Sequence, residues 1–133
     1  KLAASLFLYN LPTGFYHSAS SFSQGMPLHE YKEIMLNSVF ALCPEGDRHL
    51  DTFRLWEACS AGTIPLIVDH NSKAKNLVDS DFPIPIFSTW RDALNYSTAR
   101  LQNPKLLNQI QKELIFWWKK SIVNYQKKLS SSL

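Results

Sequence analysis

Apolar and polar positions fall in blocks along this chain, and the blocks change period in a telling order. Val39 to Cys43 is a short apolar run closed by Pro44, and Ile64 to Val68 is a second, opened by Thr63 and interrupted early by Pro65. Runs of this length bounded by turn formers predict buried strands. Between them the spacing becomes helical. At about 100° per residue, Phe53, Leu55, Trp56 and Cys59 share one broad arc, while Arg54, Glu57 and Ala61 lie on the other side. Asp51 or Thr52 is placed to cap this helix, and Gly62 tolerates the left-handed conformation that ends it. Strand, helix and strand make a βαβ unit, so the two strands are expected to run parallel in an α/β sheet.

The rest of the chain alternates in the same manner. Leu6 to Tyr9 reads as a candidate strand, and Pro12 to Pro27, rich in Ser and Gly, reads as a long loop of the kind that often lines a site mouth. A helix over Leu28 to Asn37 carries Tyr31, Ile34 and Met35 at core-facing spacing and feeds the Val39 strand. Beyond Val68 the pattern predicts a short helix near Lys73 to Val78, a Pro-flanked strand at Ile84 to Phe87, and a helix from Ser88 or Thr89 to about Leu101. Asn103 then caps, and Pro104 opens, a last helix to near Leu129, with Leu107, Ile110, Leu114, Trp117 and Trp118 as its buried stripe. Both tryptophans are read as packing residues rather than a sugar-stacking platform.

Composition changes this picture little: 45% hydrophobic and 19% charged residues describe an ordinary globular protein. The net charge of +3 hides an asymmetry. Residues 1–99 hold seven Lys and Arg against ten Asp and Glu, or −3, whereas residues 100–133 hold seven against one, or +6. Basic character is thus confined to the C-terminal helix, where Lys119, Lys120, Lys127 and Lys128 read as a solvated face. No nucleic-acid motif accompanies it. No apolar run reaches the roughly 18 residues of a membrane span, and Leu2 to Leu8 lacks the length of a signal peptide. Cys43 and Cys59 read as buried thiols rather than zinc ligands. Asn95, Tyr96 and Ser97 form a glycosylation sequon. A chain of 133 residues suffices for one domain with a real core, and without an initiating Met it reads as a single domain excised from a longer protein.

Candidate chemistry gathers in the βαβ unit. In open α/β sheets ligands bind outside the carboxyl ends of the strands, where the turn from Pro44 to Asp51 and the first helical amides must lie. Arg54 stands in the first helical turn, against a dipole that is already positive, at a local cost of about 0.3–1 kcal/mol. A solvated Arg54–Glu57 pair is one account, though Arg ahead of Glu is its weaker orientation. A bound anion is the other. Arg48 and Arg54 can clamp a diphosphate together with free N–H groups, and Glu57, one turn deeper, is an acceptor suited to the two vicinal hydroxyls of a ribose. Asp69, His70 and Asn71 follow the second strand at the same sheet edge. Of these, Asp69 is the candidate reader of sugar hydroxyls, and His70 reads as an exposed turn residue.

At these residues the chain resembles the exostosin-like glycosyltransferases. The pattern F-x-L-C-P-x-G stands as Phe40, Leu42, Cys43, Pro44 and Gly46. A hydroxyl residue, an aromatic and Arg follow as Thr52, Phe53 and Arg54, then Glu57 and Ala58, and then Ala61, Gly62, Ile64, Pro65, Leu66 and Ile67. Glu45 departs from the base that many members carry there, and Asp47 is equally acidic. Pro83 to Phe87, Trp90 and the Trp117–Trp118 pair look most like the ribitol xylosyltransferase branch.

The resemblance implies a Rossmann-like parallel sheet with flanking helices, forming the C-terminal, donor-binding half of a GT-B glycosyltransferase. Arg54 is implied to contact the diphosphate and Glu57 the ribose of a UDP-sugar; Arg48 matches a basic position in only some branches, and Gly46, Thr52 and Asp69 are the further candidate substrate-binding residues. A hexosyl- or pentosyltransferase active together with an N-terminal acceptor domain is expected, with the general base in that missing half and a glycan as acceptor. No metal or other cofactor is implied, and membrane association would come only through an anchor outside this sequence. A Golgi-lumen setting goes with the eukaryotic family. The alternatives that stay open are an inactive nucleotide- or carbohydrate-binding scaffold and a phosphorylase or epimerase of the same architecture.

Overall fold

The computed structural model describes residues 2–11, 13–17, 24–45, 53–73 and 76–133. At its centre lies a run of five residues, Ile64–Val68 (β2), every one of which is buried. Strands covered on both faces need apolar side chains throughout, and this one has them. Phe40–Cys43 (β1) pairs parallel to one side of it, from Phe40 opposite Ile64 to Cys43 opposite Ile67. Ile86–Phe87 (β3) pairs parallel to the other, Ile67 opposite Ile86. Among the described residues the sheet therefore has three strands, in the order β1-β2-β3.

Pro65 in the middle strand has a geometric explanation. The Ile64 N–H points at β1, donating to the Val39 carbonyl at 2.9 Å, so the nitrogen of Pro65 faces the opposite edge. There β3 begins only opposite Ile67, and no ladder bond is lost.

Helices cover both faces. Leu28–Leu36 (α2), Phe53–Ala61 (α3) and Pro104–Ser132 (α5) enclose a core that includes Met35, Cys43, Leu55, Cys59, Ile67, Leu114 and Trp117. Leu2–Asn10 (α1) and Trp90–Leu101 (α4) enclose Phe7, Leu66, Val68, Phe87 and Leu94 on the opposite face. Phe7 meets Trp90 edge-on, 6.3 Å between ring centres. The chain is thus an α/β domain with a small parallel sheet flanked by helices, Rossmann-like in build.

Most expected elements form where the pattern places them. Gly62 ends α3 at φ +74°, Thr89 caps α4 by accepting from the Asp92 N–H, and Asn103 caps α5 ahead of Pro104. Trp117 is buried against Phe82, and Trp118 stacks on Trp56 at 6.2 Å, so both serve packing. Four expectations are corrected. Leu6 to Tyr9 is not a strand but the second half of α1, since Ala3, Ala4 and Ser5 extend a short apolar run that periodicity alone cannot assign. The strand at Ile84 to Phe87 shrinks to Ile86–Phe87, because Pro85 has no N–H for the ladder. Among the described residues of 73–78 there is a turn, Asn76 N–H to the Lys73 carbonyl, and no α-helix. Phe53, expected on the buried arc of α3, is 87% exposed, because the core meets this helix at Leu55, Ala58 and Cys59.

The buried Thr63 hydroxyl donates to the Met35 carbonyl at 2.6 Å, fastening the end of α2 to the start of β2. Replacement by Val, which keeps the shape and removes the donor, is expected to cost about 1–2 kcal/mol in denaturant unfolding, with Ser restoring part of it. At Gly62 a β-carbon would lie 3.3 Å from Ile115 Cδ1 on a left-handed backbone, so Gly62→Ala is expected to destabilise by about 1–2 kcal/mol in the same assay.

Candidate functional site

The site is built where β1 ends and α3 begins. Parallel pairing places the carboxyl ends of β1 and β2 at one edge of the sheet, and α3 starts above that edge. Arg54, the second residue of the helix, turns its Nη1 toward the Leu42 carbonyl of β1 at 3.4 Å. Glu57 lies one turn further along the same exposed face, where its Oε2 accepts a hydrogen bond from the Tyr31 hydroxyl at 2.7 Å. The charged pair does not close on itself as a simple i, i+3 bridge. Arg54 turns to the strand end and Glu57 to α2.

Tyr31 is the residue that sequence reasoning placed only in the core. Its ring does pack against the core cluster, but its hydroxyl reaches out of that cluster to a carboxylate 26 residues away. Helical spacing assigns a face to a side chain and not a partner to its tip, so the amphipathic nature of tyrosine was the only signal available. Burial, and then hydrogen bonding and charge from Glu57, push the phenol up to about 12, while the Arg54 guanidinium pulls it the other way. Arg54, Glu57 and Tyr31 are therefore electrostatically coupled at one corner of the sheet.

Gly46, Arg48 and Thr52, the remaining candidates for the phosphate turn, lie outside the described residues, as does the proposed cap at Asp51. Asp69 directly follows β2 at the same edge. Its N–H donates to the Phe87 carbonyl at 2.9 Å, and its Oδ1 accepts from the amides of Asn71 and Lys73, both at 3.1 Å. This carboxylate shapes the turn that leaves the sheet, a turn in which Ser72 takes a left-handed φ of 54°. His70 is exposed in it.

The sequence also contains a D-x-D triplet, Asp79-Ser80-Asp81, the spacing with which two carboxylates can bracket a cation-bound diphosphate. Here both reach α5, Asp79 through a part-buried hydrogen bond and Asp81 through an exposed ion pair. Asp79 Oδ1 accepts from Trp117 Nε1 at 2.9 Å, and Asp81 Oδ2 pairs with Lys120 Nζ at 3.3 Å. Among the described residues no three His, Cys, Asp or Glu side chains gather to hold a metal ion. No described helix is long and apolar enough to cross a membrane.

Cys43 and Cys59 are free, buried thiols beneath the site. Burial pushes both up to about 12, with Arg54 opposing the shift at Cys43. They are structural and poorly nucleophilic.

A small parallel sheet flanked by helices, with a charged helix face over its carboxyl edge, defines the class: a Rossmann-like α/β domain. Residues 19–132, well over half of the chain, match the family model described as the RXYLT1 C-terminal domain, and the chain belongs to that family. It is thus a glycosyltransferase-related C-terminal domain, in agreement with the ribitol xylosyltransferase resemblance of its motifs. No curated protein and no solved structure matches the chain significantly.

The raised groups set an alkaline limit on stability. Cys43 and Cys59 titrate near 12 when folded against an ordinary 9.0, and Tyr31 near 12 against 10.0. Between those values the folded chain holds protons that the unfolded chain has lost, so their contribution is whole below about pH 9 and disappears as the pH rises toward 12. The denaturation midpoint is expected to fall across that interval, and less steeply in a Cys43→Ala, Cys59→Ala, Tyr31→Phe variant. An equal slope in the variant would assign the fall to other groups.

Proposed function

We propose that this chain is the donor-binding half of a GT-B glycosyltransferase, which holds a UDP-sugar at the β1–α3 corner and stabilises the diphosphate as it leaves. One observation carries the reading: a guanidinium kept in the first turn of a helix, at the carboxyl end of a parallel strand, with an acceptor carboxylate one turn beyond it on the same face. A cation against the helix dipole is unfavourable in the empty domain and favourable once an anion bridges the two.

Glycosyl transfer breaks the bond from the anomeric carbon to the diphosphate oxygen, and negative charge grows on that oxygen as it departs. Arg54 and the first amides of α3 are preorganised to meet this charge, whereas water would have to reorient. Gly46, Arg48 and Thr52 are proposed to complete the phosphate contacts. Glu57 accepts the ribose hydroxyls, and Asp69 is proposed to approach the sugar. The acceptor glycan and the general base that deprotonates its hydroxyl belong to an N-terminal domain facing this one, and the transfer is proposed to need no metal.

Calorimetric titration with UDP tests the assignment. Arg54→Ala and Glu57→Ala are each expected to weaken binding about tenfold or more, with thermal melting little changed because both side chains are exposed. With the acceptor domain present, Arg54→Ala is expected to lower turnover by about 10²-fold. Unchanged UDP affinity in both variants would remove the site from this corner. Products formed from radiolabelled donor separate transfer from phosphorolysis and epimerisation, and binding without any product would mark a scaffold.

A further inference from the structure

Tyr31 lies on α2, ahead of the βαβ unit, and no motif marks it. Its surroundings make its hydroxyl a fixed donor. The ring packs against the core beside Met35, one turn along the same helix face, and the Met35 carbonyl is tied to β2 by the buried Thr63 hydroxyl. Helix α2 also packs directly on α3. The phenol is therefore anchored at the ring and has only its tip at the site, where it spends its proton on Glu57 Oε2.

Glu57 needs such an anchor. On an exposed helix face a glutamate samples several rotamers, and only some of them present the carboxylate at the strand ends. A hydrogen bond from a fixed donor selects one. It occupies one lone pair of Oε2 and leaves Oε1 and the outer face of the carboxylate as acceptors, which matches the demand of two adjacent hydroxyls on one sugar ring. The same bond turns Glu57 toward α2, while Arg54 turns its Nη1 to the Leu42 carbonyl. Burial and Glu57 together hold the phenol protonated far above neutrality, so the donor persists at any physiological pH.

We propose that Tyr31 is a positioning residue that sets ribose specificity at the donor site: it fixes the Glu57 carboxylate for the 2′- and 3′-hydroxyls and so makes the site discriminate ribonucleotides from 2′-deoxyribonucleotides. This rests on the donor-site reading given above. A tyrosine that merely tied α2 to α3 would affect stability and leave the choice of sugar untouched.

The test is calorimetric titration of the chain with UDP and with 2′-deoxy-UDP, accompanied by thermal melting. The unaltered chain is expected to prefer UDP. Tyr31→Phe keeps the ring packing and removes the donor. It is expected to lower UDP affinity about tenfold while changing 2′-deoxy-UDP affinity much less, so that the preference collapses. Glu57→Asp, which withdraws the carboxylate from the phenol without altering α2, is expected to collapse it in the same way, whereas Arg54→Ala weakens both ligands alike. A preference retained in Tyr31→Phe or in Glu57→Asp overturns the role of Tyr31 and leaves the donor site standing. Binding of neither nucleotide by the unaltered chain overturns the donor site and the role of Tyr31 together.

Discussion

The double-sided burial of β2 is the constraint on which the rest of the domain depends. Its five residues are apolar and covered on both faces by helices, the setting in which parallel sheets occur, and both neighbours pair parallel to it. That arrangement alone aligns the carboxyl ends of β1 and β2 at one edge and sets the start of α3 over them. The charged face of α3 costs the fold little, since Arg54 and Glu57 are exposed while Leu55, Ala58 and Cys59 on the same helix are buried. Stability and candidate chemistry thus occupy opposite sides of one nine-residue helix.

The second face of that economy is seen in α5. Its stripe from Ile110 through Leu114 to Trp117 closes the core over α3, and its polar contacts collect the Asp79 and Asp81 carboxylates. Of these two acids, Asp79 ties its segment to the helix through the Trp117 indole, and Asp81 adds an exposed pair with Lys120. Trp56 and Trp118, stacked between α3 and α5, fix the helix that carries Arg54 and Glu57 from behind. A rigid support of this kind is what a site needs if its groups are to be preorganised rather than recruited.

Legibility in the sequence followed the range of the interactions. The βαβ unit was readable because its signals are local: apolar runs of strand length, a helical period between them, and Gly62 at the stop. The start of α4 near Thr89 and the cap at Asn103 were readable for the same reason. Leu6 to Tyr9 was misread because a short apolar run fits a strand or a buried helix equally well, and only packing against Trp90 and α4 decides. Phe53 was misplaced because an angular projection assumes that neighbours line the whole helix. At the candidate site Arg54 could be picked out by its position against the helix dipole, and Glu57 as an acceptor one turn deeper. Tyr31 could not, since its tie to Glu57 spans 26 residues and arises only when α2 docks on α3.

The central claim is that this corner of the sheet binds a uridine diphosphate through preorganised protein groups. Calorimetric titration of the unaltered chain with UDP, GDP and uridine, each with magnesium and with chelator, tests it most directly. The account predicts selective binding of UDP over GDP, little affinity for uridine without its phosphates, and the same constant whether or not magnesium is present. Equal affinity for uridine and UDP would show that Arg54 and the helix terminus hold no diphosphate, and would contradict it.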